Sequence, residues 1–569
     1  MPNSEIEKLI NEISKLPGLG RRSAQRIALH LLKNKEYSMT VLIELLKDAN
    51  LIIRGDRIEN VGIDIPIPQD AFEIDLTGKT IYPGFIESWF EFATPDSIQH
   101  RASNWNKKVH PEFSAIESKQ ISKKEFDEFH KNGITTVHIV PNEGIFRGSS
   151  NVRLLNDEQK SLRSSPTQIM AFETYGWYSD DYPGSLLGVA ALIRQTFYDV
   201  LWYKRATETY NSFPKKNDPI KIDISLETLR DHLDNKGSFL FKTGDELSTL
   251  RAFNIANEFG LNAWVKTKGF EYRRLSELKN AKSFFILPLN FDFPPKVSNP
   301  HDALAYSTSK LKHWIMAPKN AGILAEENIQ FSFTTDGLKK KSDFRKNIIN
   351  MVENHGLKKK NAIKALTISP AKRMGLHDKI GEIKSGFLAN FFITNGDYFD
   401  KNSKVESVWI AGDEKKLPKN NADNFIGSWD FIGFDVSGNF SFSKKGGNMK
   451  IEELSVPLKN MSFSKSQISF TTSLDSLGFS GINQFVGNFS NNMIKGSMRT
   501  ATGRFHHWEA IKSINQEEKI KKSKAKLDFD IPTVFPEGAY GLEKMIEQHK
   551  IVLVKNATIW TSAEQGILQ

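Results

Sequence analysis

The chain has 569 residues, 39% hydrophobic and 25% charged, a soluble globular balance too long for one ordinary core. Its 77 basic against 67 acidic residues give +10, an excess that favours solubility and weak anion attraction without establishing nucleic-acid binding. The absence of cysteine excludes disulfides, thiolate nucleophiles and any Cys-ligated zinc or iron–sulfur centre.

The first twenty residues are amphipathic and charged, with no long apolar core of a signal peptide, and no stretch approaches a membrane span. A cytoplasmic protein without a membrane partner is expected. Ile6, Leu9, Ile10 and Ile13 recur at helical spacing, as do Ala24, Ile27, Ala28 and Leu31. Between them "LPGLG" forces a tight hairpin, and "MTVLIELLKDA" predicts a third helix.

At residue 51 the character changes. "LIIRGDRIENVG" reads as strand, turn and strand, and "FEIDLTGKTIYPGFIES" repeats the theme. To about residue 412, apolar runs such as "ITTVHIV", "SFLFKTG", "NAWVKT", "SFFILPLN" and "IQFSFTTDG" alternate with helical patterns. Strand and helix in alternation imply parallel βα units, and so long a run suits a closed barrel. From about 425 to 512 the strands are short, with Gly, Ser and Asn in the turns, which predicts a small antiparallel β unit. Residues 513–548 include the charged linker "INQEEKIKKSKAKLD", and 549–569 open a new strand motif.

The hairpin "LPGLGRRSAQRIALHLL" resembles the helix-hairpin-helix of RecR-type recombination mediators, over about residues 1–50. Gly18 and Gly20 let backbone amides approach a phosphate, with Arg21, Arg22 and Arg26 beside them. An ordinary helical hairpin with glycines at its turn accounts for the local pattern equally well. The resemblance implies weak, non-specific DNA contact. Such mediators continue into a four-cysteine zinc site, which this cysteine-free chain lacks, so a working mediator is not expected.

"GKTIYPGFIES" at 78–88 and "ALTISPAKRMGLHDKIGEIKSGFLANFFI" at 365–393 resemble the entry and exit of the amidohydrolase superfamily, near its imidazolonepropionase-like members. The resemblance implies an α/β fold over 51–412, a (β/α)8 TIM-type barrel with a small β-sandwich built from the flanking segments. It also implies hydrolysis of carbon–nitrogen bonds by one or two divalent metals, zinc or another, held by His-x-His on the first strand, histidines on the fifth and sixth and an aspartate on the eighth. Trp89 and Glu91 stand at the His-x-His positions, "FLFKTGDEL" offers Lys242 and Thr243, and "VKTKGFEY" puts Lys268 at the sixth-strand place. Only Asp336 remains, a vestigial catalytic residue. His138 in an apolar strand and His313 before an aromatic read as packing residues, while His506 and His507 point to opposite faces of one strand. No bound cofactor is expected, and the barrel reads as inactive.

"KNATIWT" in the last segment resembles the opening strands of another amidohydrolase unit. "YPGSLLGVAALIRQTFYDVLWY" at 182–203 and "HWIMAPKNAGIL" at 313–324 resemble the degenerate first unit of tandem amidohydrolase proteins, whose members are often exported. A catalytic amidohydrolase domain is thus an expected partner. The whole chain reads as a chimera joined near residue 50.

Overall fold

A computed structural model describes residues 49–63, 65–92, 104–118, 120–162, 167–174, 182–281, 284–296, 299–417, 425–443, 446–464, 466–490, 493–513 and 551–568. The predicted hairpin with Gly18, Gly20, Arg21, Arg22 and Arg26 lies outside them, as does nearly all of the 513–548 linker. The chain forms two compact units, the second spanning Pro418–Asp530.

The first unit opens with the hairpin β1 (Asn50–Arg54) and β2 (Arg57–Gly62), then β3 (Thr80–Pro83) and β4 (Phe85–Phe92). Helix α1 (Lys123–His130) leads into β5 (Ile134–Pro141), β6 (Phe146–Ser149), β7 (Asn151–Leu154) and β8 (Gln168–Ala171). Helices α2 (Leu186–Ser212) and α3 (Ile224–Asp234) precede β9 (Ser238–Lys242), α4 (Glu246–Glu258) and β10 (Asn262–Lys266). Next come α5 (Leu275–Asn280), β11 (Phe284–Pro288), α6 (Thr308–Met316), α7 (Asn320–Glu326) and β12 (Gln330–Thr334). Helices α8 (Asp343–Asn354), α9 (Lys359–Leu366) and α10 (Ile368–Arg373) lead to β13 (Phe391–Thr394), β14 (Val405–Ile410) and β15 (Asp413–Lys416).

Short polar side chains start α1, α2, α3, α4 and α6. Ser122 and Glu125 cap α1 reciprocally, and Asp245 accepts from the Ser248 amide 2.6 Å away to begin α4 immediately after β9. Strands β8 to β12 pair in parallel in sequence order, and β4 pairs in parallel with β5. All eight residues of β5 are buried, which is why this strand reads as a continuous apolar run.

Parallel βα pairing runs along β8–β12, and the chain departs from a regular (β/α)8 pattern at β6 and β7. Both run antiparallel, β7 against β5 and β6 against β8. Only residues 142–145 separate β5 from β6, far short of the dozen or so that a parallel crossover needs, so the chain must turn straight back.

No ladder joins β4 to β12 among the described residues. A side chain bridges that seam instead. The fully buried Glu87 carboxyl receives the amides of Trp89 at 2.9 Å and Thr335 at 2.8 Å, with the Thr334 hydroxyl 2.5 Å away. The small sheet β15-β14-β13-β3 is antiparallel and composite, drawing on segments that flank the barrel on both sides, as the two motifs imply. Ile58, Phe387, Phe391 and Ile393 form its own core, with Leu51, Ile53 and Trp409 packed against it.

The second unit is more than a small antiparallel sheet. It is a closed up-and-down barrel of eight strands: β16 (Gly427–Gly433), β17 (Val436–Ser443), β18 (Gly446–Ile451), β19 (Leu454–Ser464), β20 (Gln467–Leu474), β21 (Phe479–Ser490), β22 (Met493–Arg499) and β23 (Phe505–Lys512). Alternation places Trp429, Phe440, Phe470, Phe485 and Trp508 inside, where their rings fill the interior. Phe470 and Phe485 stack at 4.8 Å. Two glycines make room for Trp508. A Cβ at Gly496 would stand 2.6 Å from its ring and 2.2 Å from the Val486 carbonyl, and one at Gly487 would stand 2.7 Å from the ring. The last segment forms only the exposed two-residue strands β24 (Ile559–Trp560) and β25 (Ile567–Leu568).

Gly496→Val should destabilise this barrel by about 1–3 kcal/mol, the usual cost of overpacking, because backbone stands on one side and a buried indole on the other. Thermal melts followed by tryptophan fluorescence will read it; an unchanged transition would show that the wall yields.

Candidate functional site

Chemistry on such barrels occurs at the strand C-terminal ends, and here that end carries a compact charge cluster. Strand β4 supplies Glu87, Trp89 and Glu91. Strands β9 and β10 end in register at Lys242 and Lys266. Arg147 lies on β6, Glu173 follows β8 and Asp336 follows β12.

Lys242 Nζ lies 2.7 Å from both Glu91 Oε1 and Glu173 Oε1, bridging two carboxylates. Arg147 reaches the same two, Nη1 at 3.4 Å from Glu91 Oε1 and Nη2 paired with Glu173. The Trp89 indole N–H adds a third kind of donor to Glu91 Oε1, at 3.2 Å. Beside this group Lys266 pairs with Asp336 and sits 5.7 Å from the Trp89 ring centre. The cations lie beneath their partners: Arg147 and Lys266 side chains are 0% and 1% exposed, against 40% for Glu173 and 31% for Asp336.

Burial alone would raise the Asp336 and Glu173 carboxyls. The Lys266 ammonium outweighs it at Asp336, and Arg147 with Lys242 outweighs it at Glu173, so both are held below the usual carboxylate range. Burial lowers Lys266 despite the Asp336 charge, and Lys268 and Lys242 push the same way. Glu87 is pushed up by burial, which exceeds the counteracting effect of Lys341 and three hydrogen bonds.

Trp89, Glu91 and Asp336 therefore meet in one cluster. The cation facing Asp336 is a correction. It is Lys266, the last residue of β10, whereas Lys268 lies two residues further on, exposed, at a 20 Å³ cavity shared with His313 and Asn320. Of the fifth-strand pair, Lys242 joins the cluster and Thr243 bonds Thr249 at 2.9 Å instead. His138 is fully buried with Nδ1 3.0 Å from the Ser88 carbonyl, and His313 stacks on Phe270 at 4.0 Å, both packing residues. His506 and His507 lie in β23 of the second unit, with His506 packed edge-on against Phe479 at 5.1 Å. Among the described residues, no three His, Cys, Asp or Glu side chains are arranged to hold a metal ion.

Glu87, Arg147, Glu173 and Lys266 escape a sequence reading. The available signal was a lone charge inside or just beyond an apolar run, as in "IFRGSS", "MAFETYG" and "NAWVK". A wide cavity of about 4120 Å³ does not touch this cluster. It is lined by Gln168, Ser238, Asn262, Phe284 and Gln330 at the opposite, N-terminal ends of β8 to β12, together with residues of the small sheets.

These shifts set opposite acid responses. Asp336 and Glu173, depressed in the folded state, contribute stability that is present above their unfolded values near pH 4 and lost as pH falls through the folded values. Glu87, raised, contributes in the other sense, fully below its unfolded value and lost as pH rises through the folded one. Asp336→Asn with Glu173→Gln should flatten the acid limb of a urea-stability profile, and Glu87→Gln should leave that limb in place. An acid limb unchanged by the first pair would show that other carboxylates control it.

Residues 294–415 match the family model described as Amidohydrolase family, and residues 6–50 match RecR, helix-hairpin-helix. An amidohydrolase from Thermotoga maritima MSB8 shares the fold at a TM-score of 0.53 and 23% identity, over 65% of this chain and 95% of that one. Recombination protein RecR of Xanthobacter autotrophicus is 48% identical over 63 residues, 11% of this chain, and that of Maricaulis maris 58% identical over 51 residues, 9% of this chain. The chain spans only 31% and 25% of the length of these two curated relatives. The first unit thus carries the amidohydrolase fold, with the amidohydrolase family's sequence signature over 294–415, in a chain whose residues 6–50 match the RecR, helix-hairpin-helix model.

Proposed function

We propose that this barrel is a non-catalytic amidohydrolase-type unit, a scaffold that packs against a catalytic amidohydrolase domain. One observation carries the reading: ammonium groups occupy the centre where the family's chemistry places metal, Lys266 on Asp336 and Lys242 between Glu91 and Glu173. A divalent ion needs free lone pairs. Trp89 offers none, Glu91 Oε1 already receives Lys242, Arg147 and the Trp89 indole, and Asp336 is engaged by Lys266. The buried Lys266 ammonium and the partly buried Lys242 ammonium would also repel the ion. The residues present do not fit a metal, and no hydrolytic step is derived through one. Parallel βα units whose strand ends are cross-linked by ion pairs suit a rigid packing partner.

A second reading, weak DNA contact through residues 1–50, is favoured by the 48–58% identity to RecR proteins over that stretch. It would run through Gly18, Gly20, Arg21, Arg22 and Arg26.

Elemental analysis of the purified chain should find no stoichiometric zinc or manganese, and cyclic amides and dipeptide amides should not turn over. Combining Trp89→His, Glu91→His, Lys242→His and Lys266→His, with Asp336 kept, should create zinc binding measurable by calorimetry. Stoichiometric metal with turnover in the unaltered chain would end the scaffold reading. For the second reading, duplex DNA should bind at about 10⁻⁴ M or weaker at physiological salt. Arg21→Ala with Arg22→Ala should abolish that binding; tight binding that survives both changes would rule out this hairpin as its source.

A further inference from the structure

Helix α2 is apolar on two opposite sides. Val189, Leu192, Ile193, Phe197 and Val200 face the barrel core. The outward stripe, at helical spacing, carries Leu187, Tyr198, Leu201 and Trp202, exposed by 82, 53, 41 and 58%. Its 27 residues span about 40 Å. A contiguous exposed apolar stripe of this length marks an interaction surface, so it calls for an occupant. The patch extends at both ends. Trp105 stacks on Tyr182 at 6.4 Å, just before the helix, and Phe213 caps its far end with its side chain exposed.

Charge selects the occupant. Residues 186–216 carry five basic and two acidic side chains. Arg194 and Lys204 are paired with Glu258 and Asp234, while Arg205, Lys215 and Lys216 have no carboxylate partner among the described residues. A second copy would bring the same unpaired cations against this face. An anionic surface would not. Trp and Tyr with Leu between them and Lys or Arg alongside is the composition of helices that lie in a bilayer interface, apolar side inward and cations at the headgroups. No helix among the described residues is long and apolar enough to cross a membrane, so the contact is peripheral.

We propose that the outer face of α2 docks on an anionic lipid surface, its aromatic and leucine side chains in the headgroup layer and Arg205, Lys215 and Lys216 on lipid phosphates. Co-sedimentation of the full chain with phosphatidylcholine vesicles, and with vesicles that also contain phosphatidylglycerol, tests it. Three surface cations predict about a hundredfold tighter binding to the anionic vesicles. Leu187→Glu with Trp202→Glu should weaken that binding at least about tenfold while the thermal transition stays in place, since both side chains are mostly exposed. Because residues 1–50 are also basic, this double variant isolates α2 from any contribution of that segment. Equal binding to both vesicle types, or anionic binding that the double variant retains, would overturn the proposal. So would a concentration-dependent dimer in light scattering that the double variant abolishes, which would assign the face to a second copy.

Discussion

The first unit depends on a junction that its backbone does not make. β4 and β12 have no ladder between them among the described residues, and the buried Glu87 joins them through the amides of Trp89 and Thr335 and the hydroxyl of Thr334. That hydroxyl has one hydrogen, yet its oxygen lies 2.5 Å from Glu87 Oε1 and 3.0 Å from the Trp89 carbonyl. The Thr334 hydroxyl donates to Glu87, with the Trp89 carbonyl also within its reach. Burial raises the pKa of this carboxyl against the opposing effect of Lys341 and three hydrogen bonds. The Asp336 amide in turn donates to Thr334 at 3.0 Å, so the seam also positions the residue that holds Lys266. The contact between β4 and β12 and the assembly of the charge cluster are one arrangement.

The cluster has the energetics of buried ion pairs. Desolvating Arg147 and Lys266 is costly, and their carboxylates offset that cost only while both members stay. Removing one partner leaves an unmatched buried charge, typically a loss of about 3–5 kcal/mol. A network of this kind ties β4, β6, β8, β9 and β10 at one end of the barrel, where side-chain geometry does the cross-linking.

The sequence made much of this visible. The turn at 78–88 and the segment at 365–393 resemble the fold's entry and exit, and Trp89, Glu91 and Asp336, read from the first turn and from "FSFTTDG", lie in one charge cluster. What stayed hidden has physical causes. A strand end is uncertain by a residue or two, and that margin separates Lys268 from Lys266. Arg147 and Glu173 are 26 positions apart and meet through the antiparallel excursion of β6 and β7, whose four-residue strands carry little periodic signal. The C-terminal strands are individually plain, but the β16–β23 pairing that closes them joins the two ends of the unit, where no local pattern reports it.

That closure also shapes how the second unit forms. Every other ladder in it links strands adjacent in sequence, β16 to β17 and onward to β23. The unit can therefore assemble hairpin by hairpin, with low contact order at each step, and the entropy of joining distant chain is incurred once, when β23 meets β16. Until that event both terminal strands present open edges; afterwards none remains for another chain to extend.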